Sequence, residues 1–261
     1  MIHVFPEYES KGLKRTHKES FATNVLLEVR DVRVPGSCHH PSYSRLARHR
    51  KHLICYTHAD LIDNASRSRV KRWTEKSWPK SECIFVDTRE TRKDHEPFSE
   101  LRDWLIDTID ERGGVNYALT VGVPNTGKSS MLLAVMRGQQ SVRISVGKNV
   151  TKKGKPAIEN TPGKTREFAK YVLEEKPRKY CLDVPGVTPP LAYFEERPEA
   201  WYALCAANLL RIMKPYQSEE TDRKIAEYVL FVMNRDRIFG YVKKLGLERP
   251  TCDIHEAVKN L

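Results

Sequence analysis

The most informative segment of the chain is Gly122-Val123-Pro124-Asn125-Thr126-Gly127-Lys128-Ser129, which fits the pattern G-x-x-x-x-G-K-[ST]. It lies between a strand-like apolar run, Tyr117–Val121, and a helix-like run, Lys128–Arg137. This context favours a phosphate-binding loop over a plain glycine-containing turn. Glycines let the backbone close around phosphates, while N–H groups and the helix N-terminus point at the anion. Lys128 can reach the outer phosphates, and the Ser129 hydroxyl can ligate Mg²⁺.

Two downstream segments carry the other groups that a GTPase phosphate site needs. In Asp183-Val184-Pro185-Gly186, the Asp183 carboxylate can hold the hydration shell of Mg²⁺, and the Gly186 N–H can contact a γ-phosphate. Thr165, within the segment Thr161–Arg166, can complete the Mg²⁺ coordination when a triphosphate is bound. Each segment alone is also compatible with an ordinary turn, and their order along the chain favours the functional interpretation.

Three apolar runs precede the phosphate loop: Asn24–Val29, Leu53–Tyr56 and Cys83–Val86. They are short and unbroken, as strands of a parallel sheet buried on both faces are. The sequence after Asp183 predicts helices and no further buried strand. The other strands of the nucleotide-binding sheet must therefore come from these upstream runs. Loops that follow them should read the base. Thr57-His58-Ala59-Asp60 is a degraded N-K-x-D, in which Asp60 can accept hydrogen bonds from guanine.

The remaining pattern predicts further helices and one strand pair. The expected helices are Arg45–Lys51, Ser66–Trp78, Pro97–Arg112, Pro198–Met213, Glu219–Met233, Arg235–Leu245 and Asp253–Leu261; the strand pair is Phe168–Leu173 with Lys179–Asp183, and Gly147–Lys164 is expected to be a mobile loop. We therefore expect an α/β domain over residues 1–190, a P-loop NTPase sheet with helices on both faces. A small all-α domain over residues 191–261 should follow it.

The charge balance favours an anionic partner. The 261 residues carry a net charge of +11, which makes nucleic acid the first partner to consider. The basic clusters are Arg45, Arg48, Arg50 and Lys51; Arg67, Arg69, Lys71, Arg72 and Lys76, with Trp73 and Trp78 interleaved; and Lys148, Lys152, Lys153 and Lys155. Each cluster alone is compatible with a solvated surface, whereas three together favour RNA binding.

Other classes of protein are disfavoured. No run approaches the ~18 apolar residues of a membrane span. The first 20 residues contain neither an apolar signal core nor a convincing transit peptide. The six cysteines form no C-x-x-C pair, which argues against a disulfide scaffold or a zinc ribbon. Cys38 with His39 and His40 has no second ligand pair to complete a zinc site.

The chain resembles the circularly permuted GTPases of ribosome assembly, of the YlqF/RbgA type, and among them the mitochondrial ribosome-associated GTPases. The resemblance covers nearly the whole chain. The segments that carry it are Phe5-Pro6, Lys11-Gly12-Leu13-Lys14, Glu28–Pro35 (which is similar to the family's D-A-R-x-P), Gly122–Ser130, Thr161–Arg166, Leu182–Val187 and Phe239–Val242.

The resemblance implies binding of GTP, GDP and Mg²⁺, and docking as a monomer on immature large-subunit rRNA beside ribosomal proteins or other assembly factors. It implies the mitochondrial matrix, with a cytoplasmic or bacterial ribosome as the alternatives. The nucleotide-binding positions are Thr57, His58, Asp60, Asn125, Thr126, Gly127, Lys128, Ser129, Ser130, Thr165 and Gly186; the Mg²⁺ ligands are Ser129, Thr165 and Asp183, and Asn125 matches a K⁺-linked position.

The chain departs from the family pattern at both the base and the catalytic positions. Thr57 and His58 replace Asn and Lys, and at ~1 kcal/mol per lost hydrogen bond we expect weaker guanine discrimination. Val86-Asp87-Thr88-Arg89 replaces a Ser-Ala-type loop, and its backbone donor is not assigned. Tyr8 replaces the histidine implicated in hydrolysis, and a phenol is no base at neutral pH. Val187 stands where ordinary P-loop GTPases have glutamine.

Whether the chain is an enzyme therefore stays open. The expected function is a GTP-dependent switch in large-subunit assembly with slow or partner-dependent hydrolysis. The alternatives are an inactive rRNA-binding scaffold that keeps the GTPase fold, and a P-loop kinase of small molecules, which the order of the motifs disfavours.

Overall fold

A computed structural model describes the chain over residues 23–89, 96–109, 116–136, 143–146, 150–153, 169–175, 178–210 and 218–259. These residues fall into two compact units, residues 23–189 and residues 190–259. The first unit contains the sheet and the phosphate loop, and the second is helical.

In the described part of the first unit, eight strands form one sheet in the order β3-β2-β1-β4-β8-β7-β5-β6. The strands are β1 (Val25–Asp31), β2 (Lys51–Thr57), β3 (Ser81–Phe85), β4 (Tyr117–Val121), β5 (Arg143–Val146), β6 (Val150–Lys153), β7 (Ala169–Glu175) and β8 (Arg178–Asp183). The helices are α1 (Pro41–Ala47), α2 (Asn64–Ser77), α3 (Glu96–Thr108) and α4 (Lys128–Val135).

Strands β3, β2, β1, β4 and β8 pair in parallel, whereas β7, β5 and β6 continue the sheet in antiparallel pairs. The predicted parallel strands and the predicted β7–β8 pair are therefore confirmed. Because carboxyl ends of parallel strands share one edge, the loops after β1, β2, β3, β4 and β8 all emerge together. Ligands of open α/β sheets bind at this edge.

Alternating side chains of β1 explain why helices cover both faces of the sheet, as predicted. Val25, Leu27 and Val29 pack in one core cluster with side chains of α3 and α4. Leu26 packs in a second cluster with Tyr43 of α1. Successive strand residues point to opposite faces, so the two clusters lie on opposite sides of the sheet. All seven residues of β1 are buried.

A buried ion pair on β1 is linked to the amino end of β2. The Arg30 Nε donates to Glu28 Oε1 at 2.8 Å, and both side chains are inaccessible to solvent. The His52 Nε2 lies 3.1 Å from Glu28 Oε2 and so links β2 to β1. Burial acts to raise the pKa of Glu28, but Arg30 and hydrogen bonds from His39 and His52 hold it well below the usual range. The pair fixes the neighbouring strands that lead into the site.

Two predictions in this unit are wrong at the level of single elements. The predicted helix Arg45–Lys51 is α1, which begins at Pro41 because the His40 side chain caps it by accepting from the Ser42 N–H at 3.1 Å. Lys51 already begins β2. The predicted loop Gly147–Lys164 contains β6, which pairs with β5. A strand of four residues between glycine- and lysine-rich segments leaves too short an apolar pattern to detect.

The second unit consists of short helices packed around a small core. Its helices are α5 (Leu191–Glu196), α6 (Pro198–Ala206), α7 (Glu219–Arg235), α8 (Gly240–Lys244) and α9 (Ile254–Ala257). Leu230, Tyr241 and Ala257 form the buried centre. The Tyr241 hydroxyl accepts from the Thr251 N–H at 3.0 Å and donates to Asn234 Oδ1 at 2.6 Å.

The helical boundaries of this unit differ from the sequence pattern at three places. The predicted helix Asp253–Leu261 is α9, which ends at Ala257. The predicted helix Arg235–Leu245 is wrong because Arg237, at φ 57°, interrupts it between α7 and α8. Similarly, α6 ends well before the predicted Met213, and Asn208 follows it at φ 59°. Left-handed residues that are not glycine leave no clear signal in a sequence. Across the described ranges, no helix combines the length and apolarity needed to cross a membrane.

Candidate functional site

The phosphate loop connects the end of β4 to the start of α4. Gly122 has a φ of 155°, and a Cβ there would lie 2.4 Å from the Val29 carbonyl oxygen, so no larger residue fits. Asn125 and Gly127 adopt the left-handed region, with φ of 60° and 85°. Consecutive backbone turns of this kind direct N–H groups into a concavity that suits an anion. The loop predicted from the sequence is thus present with its strand and helix in place.

Lys128 is buried within this loop. Its Nζ donates to the carbonyl oxygens of Gly122 at 3.2 Å and Val123 at 2.9 Å. Burial lowers its pKa to about 8, although the nearby Asp183 carboxylate acts in the opposite direction. A desolvated ammonium group of this kind interacts more strongly with a phosphate than an exposed one would.

A hydroxyl and a carboxylate meet beside the start of α4. The Ser129 Oγ donates to Asp183 Oδ2 at 2.6 Å. Asp183 is fully buried, and its second oxygen, Oδ1, has no hydrogen-bond partner. Burial raises the pKa of this carboxyl, against the influence of Lys128 and Ser129. A buried carboxylate oxygen without a donor is costly. A hard divalent cation such as Mg²⁺ would satisfy it, so these residues fit that ion.

Tyr171 on β7 is a component of this corner that the sequence analysis missed. It is buried, and its hydroxyl hydrogen-bonds to the Ser129 side chain, while burial and the Asp183 charge raise its pKa. No motif marks it, because its role depends on β7 lying beside β8. Its aromatic ring also belongs to the core cluster that packs against α3 and α4.

The segment after β8 closes over the phosphate loop. The Val187 N–H donates to the Gly122 carbonyl oxygen at 3.2 Å. A Cβ on Gly186 would lie 2.6 Å from the Pro124 nitrogen and 3.0 Å from Lys128 Nζ, so glycine is needed for this approach. The Val187 side chain is buried and offers no hydrogen-bonding group. The structure therefore brings Gly186 to the phosphate loop, as its motif requires.

Thr57, at the end of β2, contacts the phosphate loop directly. Its hydroxyl donates to the Thr126 carbonyl oxygen at 2.8 Å. Its methyl carbon would lie 3.5 Å from a Cβ on Gly127. The segment expected to read the base is therefore adjacent to the segment expected to hold phosphate, although the two are far apart in the sequence.

His58 is oriented by β1. It has a φ of 58°, and its Nδ1 lies 3.1 Å from Asp31 Oδ2. Burial acts to raise the pKa of Asp31, but hydrogen bonds from His58 and Arg33 outweigh it and hold the pKa at about 2. The Nδ1 side of the imidazole thus contacts the Asp31 carboxylate on the neighbouring strand β1.

Asp60 lies in a 3₁₀ turn, Ala59–Leu61, directly after this segment. The Ala59 N–H donates to the Val86 carbonyl oxygen at 3.2 Å, which ties the turn to the loop after β3. The Asp60 carboxylate, 18% exposed, forms an ion pair with the Arg89 guanidinium. No sequence pattern predicts this pair, because the two residues belong to different loops that meet only where β2 and β3 are neighbours.

The remaining predicted residues divide into those the structure describes and those it does not. Ser130 is half-buried on α4. Tyr8 and Thr165 lie outside the described residues. On α2, the basic side chains of Arg69, Lys71, Arg72 and Lys76 are exposed. Among the residues that the structure describes, no group of three or more His, Cys, Asp or Glu side chains is arranged to hold a metal ion.

The strand order and the loops together define a class of protein. Strands β1, β2 and β3 precede the phosphate-loop strand in the sequence, yet they lie beside it in parallel, and D-x-x-G follows the neighbouring strand β8. This is the P-loop GTPase fold in circularly permuted order. Two solved structures have this fold, GNP-bound and GDP-bound YlqF from T. maritima, each with a TM-score of 0.53. They share 17% and 18% identity with the chain, cover 95% and 94% of it, and are themselves covered to 90%.

Sequence comparisons identify the family. A family model described as 50S ribosome-binding GTPase matches residues 117–244. Mitochondrial ribosome-associated GTPase 1 of Mus musculus is 30% identical over 98% of this chain and 74% of its own length. Its counterpart in Ictalurus punctatus is 28% identical over 99% of this chain and 77% of its own length. Mitochondrial GTPase 1 of Saccharomyces cerevisiae is 25% identical over 98% of this chain and 71% of its own length. The chain belongs to the mitochondrial ribosome-associated GTPase 1 family, which confirms the resemblance seen in the sequence.

Proposed function

We propose that the chain is a GTP-binding protein that associates with the mitochondrial ribosome and acts as a nucleotide-dependent switch during assembly of the large subunit. The observation that carries this proposal is the 2.8 Å hydrogen bond from Thr57 to Thr126. It supports an arrangement in which a nucleotide with its phosphates in the 122–129 loop directs its base towards the turn that contains Asp60.

Each residue of the phosphate loop has a distinct role in this proposal. Lys128 releases its two carbonyl partners and donates to the β- and γ-phosphates, together with the backbone N–H groups of the loop. Gly186 approaches closely enough for its N–H to meet a γ-phosphate. Asn125 is the residue that would assist a K⁺ ion.

Ser129 and Asp183 would hold Mg²⁺, and Thr165 is expected to complete the set when a triphosphate is bound. The ion, when bound, neutralises charge on the β- and γ-phosphate oxygens. Binding would relieve the unpartnered Asp183 Oδ1. The Ser129 hydroxyl donates its hydrogen to Asp183 Oδ2, so its lone pairs are left to ligate the ion.

Hydrolysis is proposed to be slow without a partner. Val187 is buried and cannot orient water, and Tyr8 cannot act as a base at neutral pH. A group supplied by the ribosomal particle would then stimulate turnover. This fits a switch whose bound GTP is hydrolysed only on the ribosomal particle. If the particle does not stimulate hydrolysis, the inactive scaffold is the better description.

We propose rRNA of the large subunit as the anionic partner. The net charge of +11 and the exposed basic side chains along α2 support this. The exposed Trp73 on the same helix adds an aromatic face of the kind that stacks on unpaired bases. The relatives are named as mitochondrial proteins, which supports the same location for this chain.

Titration with GTP, GDP and ATP, followed by a turnover assay with and without mitochondrial large-subunit particles, tests the proposal. We expect GTP and GDP to bind more tightly than ATP, and the particle to raise the rate of hydrolysis. Tight GTP binding with no turnover in either case indicates the scaffold. Phosphate transfer to a metabolite instead of water would contradict the proposal.

A further inference from the structure

The ion pair between Asp60 and Arg89 joins the two loops that border the proposed base site. The Arg89 side chain is 67% exposed, whereas that of Asp60 is 18% exposed. The pair uses the Arg89 Nη2 group, and the Arg89 Nε lies 3.7 Å from Asp87 Oδ1. An arginine has five N–H donors, so most of them stay available to a ligand placed beside Asp60.

Hydrogen bonds near the ends of β2 and β3 hold the two loops that carry this pair. The Val86 N–H donates to the Tyr56 carbonyl oxygen at 2.8 Å, which extends the β2–β3 pairing beyond the strand end. The Arg89 N–H donates to Asp87 Oδ1 at 2.9 Å, in a turn that aims the arginine back towards β2. The pair is thus held by local structure on both sides.

The chemistry of the pair matches one purine edge. Guanine presents two donors, N1–H and the 2-amino group, beside an acceptor, O6. A carboxylate accepts from the first two, and a guanidinium donates to the third. Adenine presents an acceptor at N1 and a donor at its 6-amino group, which reverses both contacts.

We propose that Arg89 is a specificity-determining residue that donates to O6 of guanine while it pairs with Asp60. The inference rests on the proposed function. It explains how the chain can read guanine although Thr57 and His58 replace the residues of the N-K-x-D motif. His58 is committed to Asp31, and the guanidinium of Arg67 donates to the Ala59 carbonyl oxygen at 3.2 Å behind the turn.

Displacement of a fluorescent GDP analogue by GDP, IDP and ADP tests the inference on the full chain and on Arg89→Ala and Arg89→Lys. We expect Arg89→Ala to weaken GDP and IDP alike by about tenfold, since both keep O6, and to change ADP affinity by less than about twofold. Arg89→Lys should recover part of the loss. Arg223→Ala is the matched control, because Arg223 is another exposed arginine paired with a carboxylate, Glu227 at 3.5 Å.

The outcomes separate the inference from the proposed function. Unchanged or tighter GDP binding by Arg89→Ala overturns the inference, because Arg89 would then only screen Asp60. An equal loss for GDP and ADP overturns it as well. A loss of the preference for GDP over IDP also does so, since Arg89 would then merely position Asp60. If the unmodified chain binds GDP no better than ADP, the proposed function fails with it, whereas sensitivity to Asp60→Ala alone would leave that function standing.

Discussion

The two sides of the candidate site keep different amounts of the expected chemistry. On the phosphate side, defined as residues 122–129 with Asp183 and Gly186, every motif position is occupied and the backbone is already closed around Lys128. On the base side, defined as residues 57–60 with residues 86–89, the sequence departs from the N-K-x-D motif and Asp60 pairs with Arg89. If the proposed function holds, the phosphate side depends on one fixed backbone geometry, whereas the base side depends on side chains that differ from the N-K-x-D motif.

The largest effect is expected on the phosphate side from Lys128→Met. Methionine keeps the volume of the buried side chain but removes its charged hydrogen bonds to phosphate, at a cost of about 3 kcal/mol, or about a hundredfold in affinity. GDP and ADP should lose affinity equally, because the base side is untouched. Fluorescence titration measures both.

Lys224→Gln on α7 is the matched control, since Lys224 is exposed and pairs with Glu220 at 2.7 Å on the same helix. Its nucleotide affinity should equal that of the unmodified chain. If Lys128→Met binds GDP normally, the phosphates do not lie in the 122–129 loop, and the comparison between the two sides loses its basis.

The backbone of the phosphate side is tested by Gly122→Ala. Its φ of 155° and the 2.4 Å approach to the Val29 carbonyl oxygen leave no room for a Cβ. We expect the free energy of unfolding to fall by about 2 kcal/mol or more, as measured by urea denaturation. Gly240→Ala is the control, because no atom lies within 4 Å of its added Cβ. Equal stability of the two variants would contradict the loop conformation.

The phosphate side of the site could be predicted from the sequence more fully than the base side. The phosphate side could be predicted because its pattern is contiguous and its flanking strand and helix have clear periodicity. The position of Asp60 followed only from strand order, since the sheet needed its strands from upstream. The Asp60–Arg89 pair and Tyr171 could not be predicted, because each depends on which strands become neighbours. Likewise, the break at Arg237 depends on a backbone conformation that has no residue signature.

Nucleotide affinity should depend on pH through the phosphate side alone. Burial lowers the pKa of Lys128 to about 8 in the free protein, and bound phosphate favours the charged form and raises this pKa. Above about pH 8, binding must therefore take up a proton, and affinity should fall about tenfold between pH 7 and pH 9. Titrations across this range measure it. Lys128→Met should remove the dependence, and a dependence that persists in this variant would assign it to another group.

The smallest effect is expected where the two sides touch. Thr57→Val keeps the shape of the side chain but removes the hydroxyl that donates to the Thr126 carbonyl oxygen at 2.8 Å. The same hydroxyl also lies 3.2 Å from the Arg30 carbonyl oxygen and 3.2 Å from His58 Nδ1. Loss of a hydroxyl with such contacts costs about 1 kcal/mol, so GDP affinity and the free energy of unfolding should both fall modestly. Thr57→Ser keeps the hydroxyl and should retain most of the GDP affinity of the unmodified chain. If Thr57→Val lowers stability but leaves GDP affinity unchanged, the contact only braces the fold and the two sides bind their parts of the nucleotide independently. A parallel loss of both indicates that the order of the phosphate loop depends on the strand that carries the base side. In that case the hydroxyl of Thr57 holds the phosphate loop beside the end of β2.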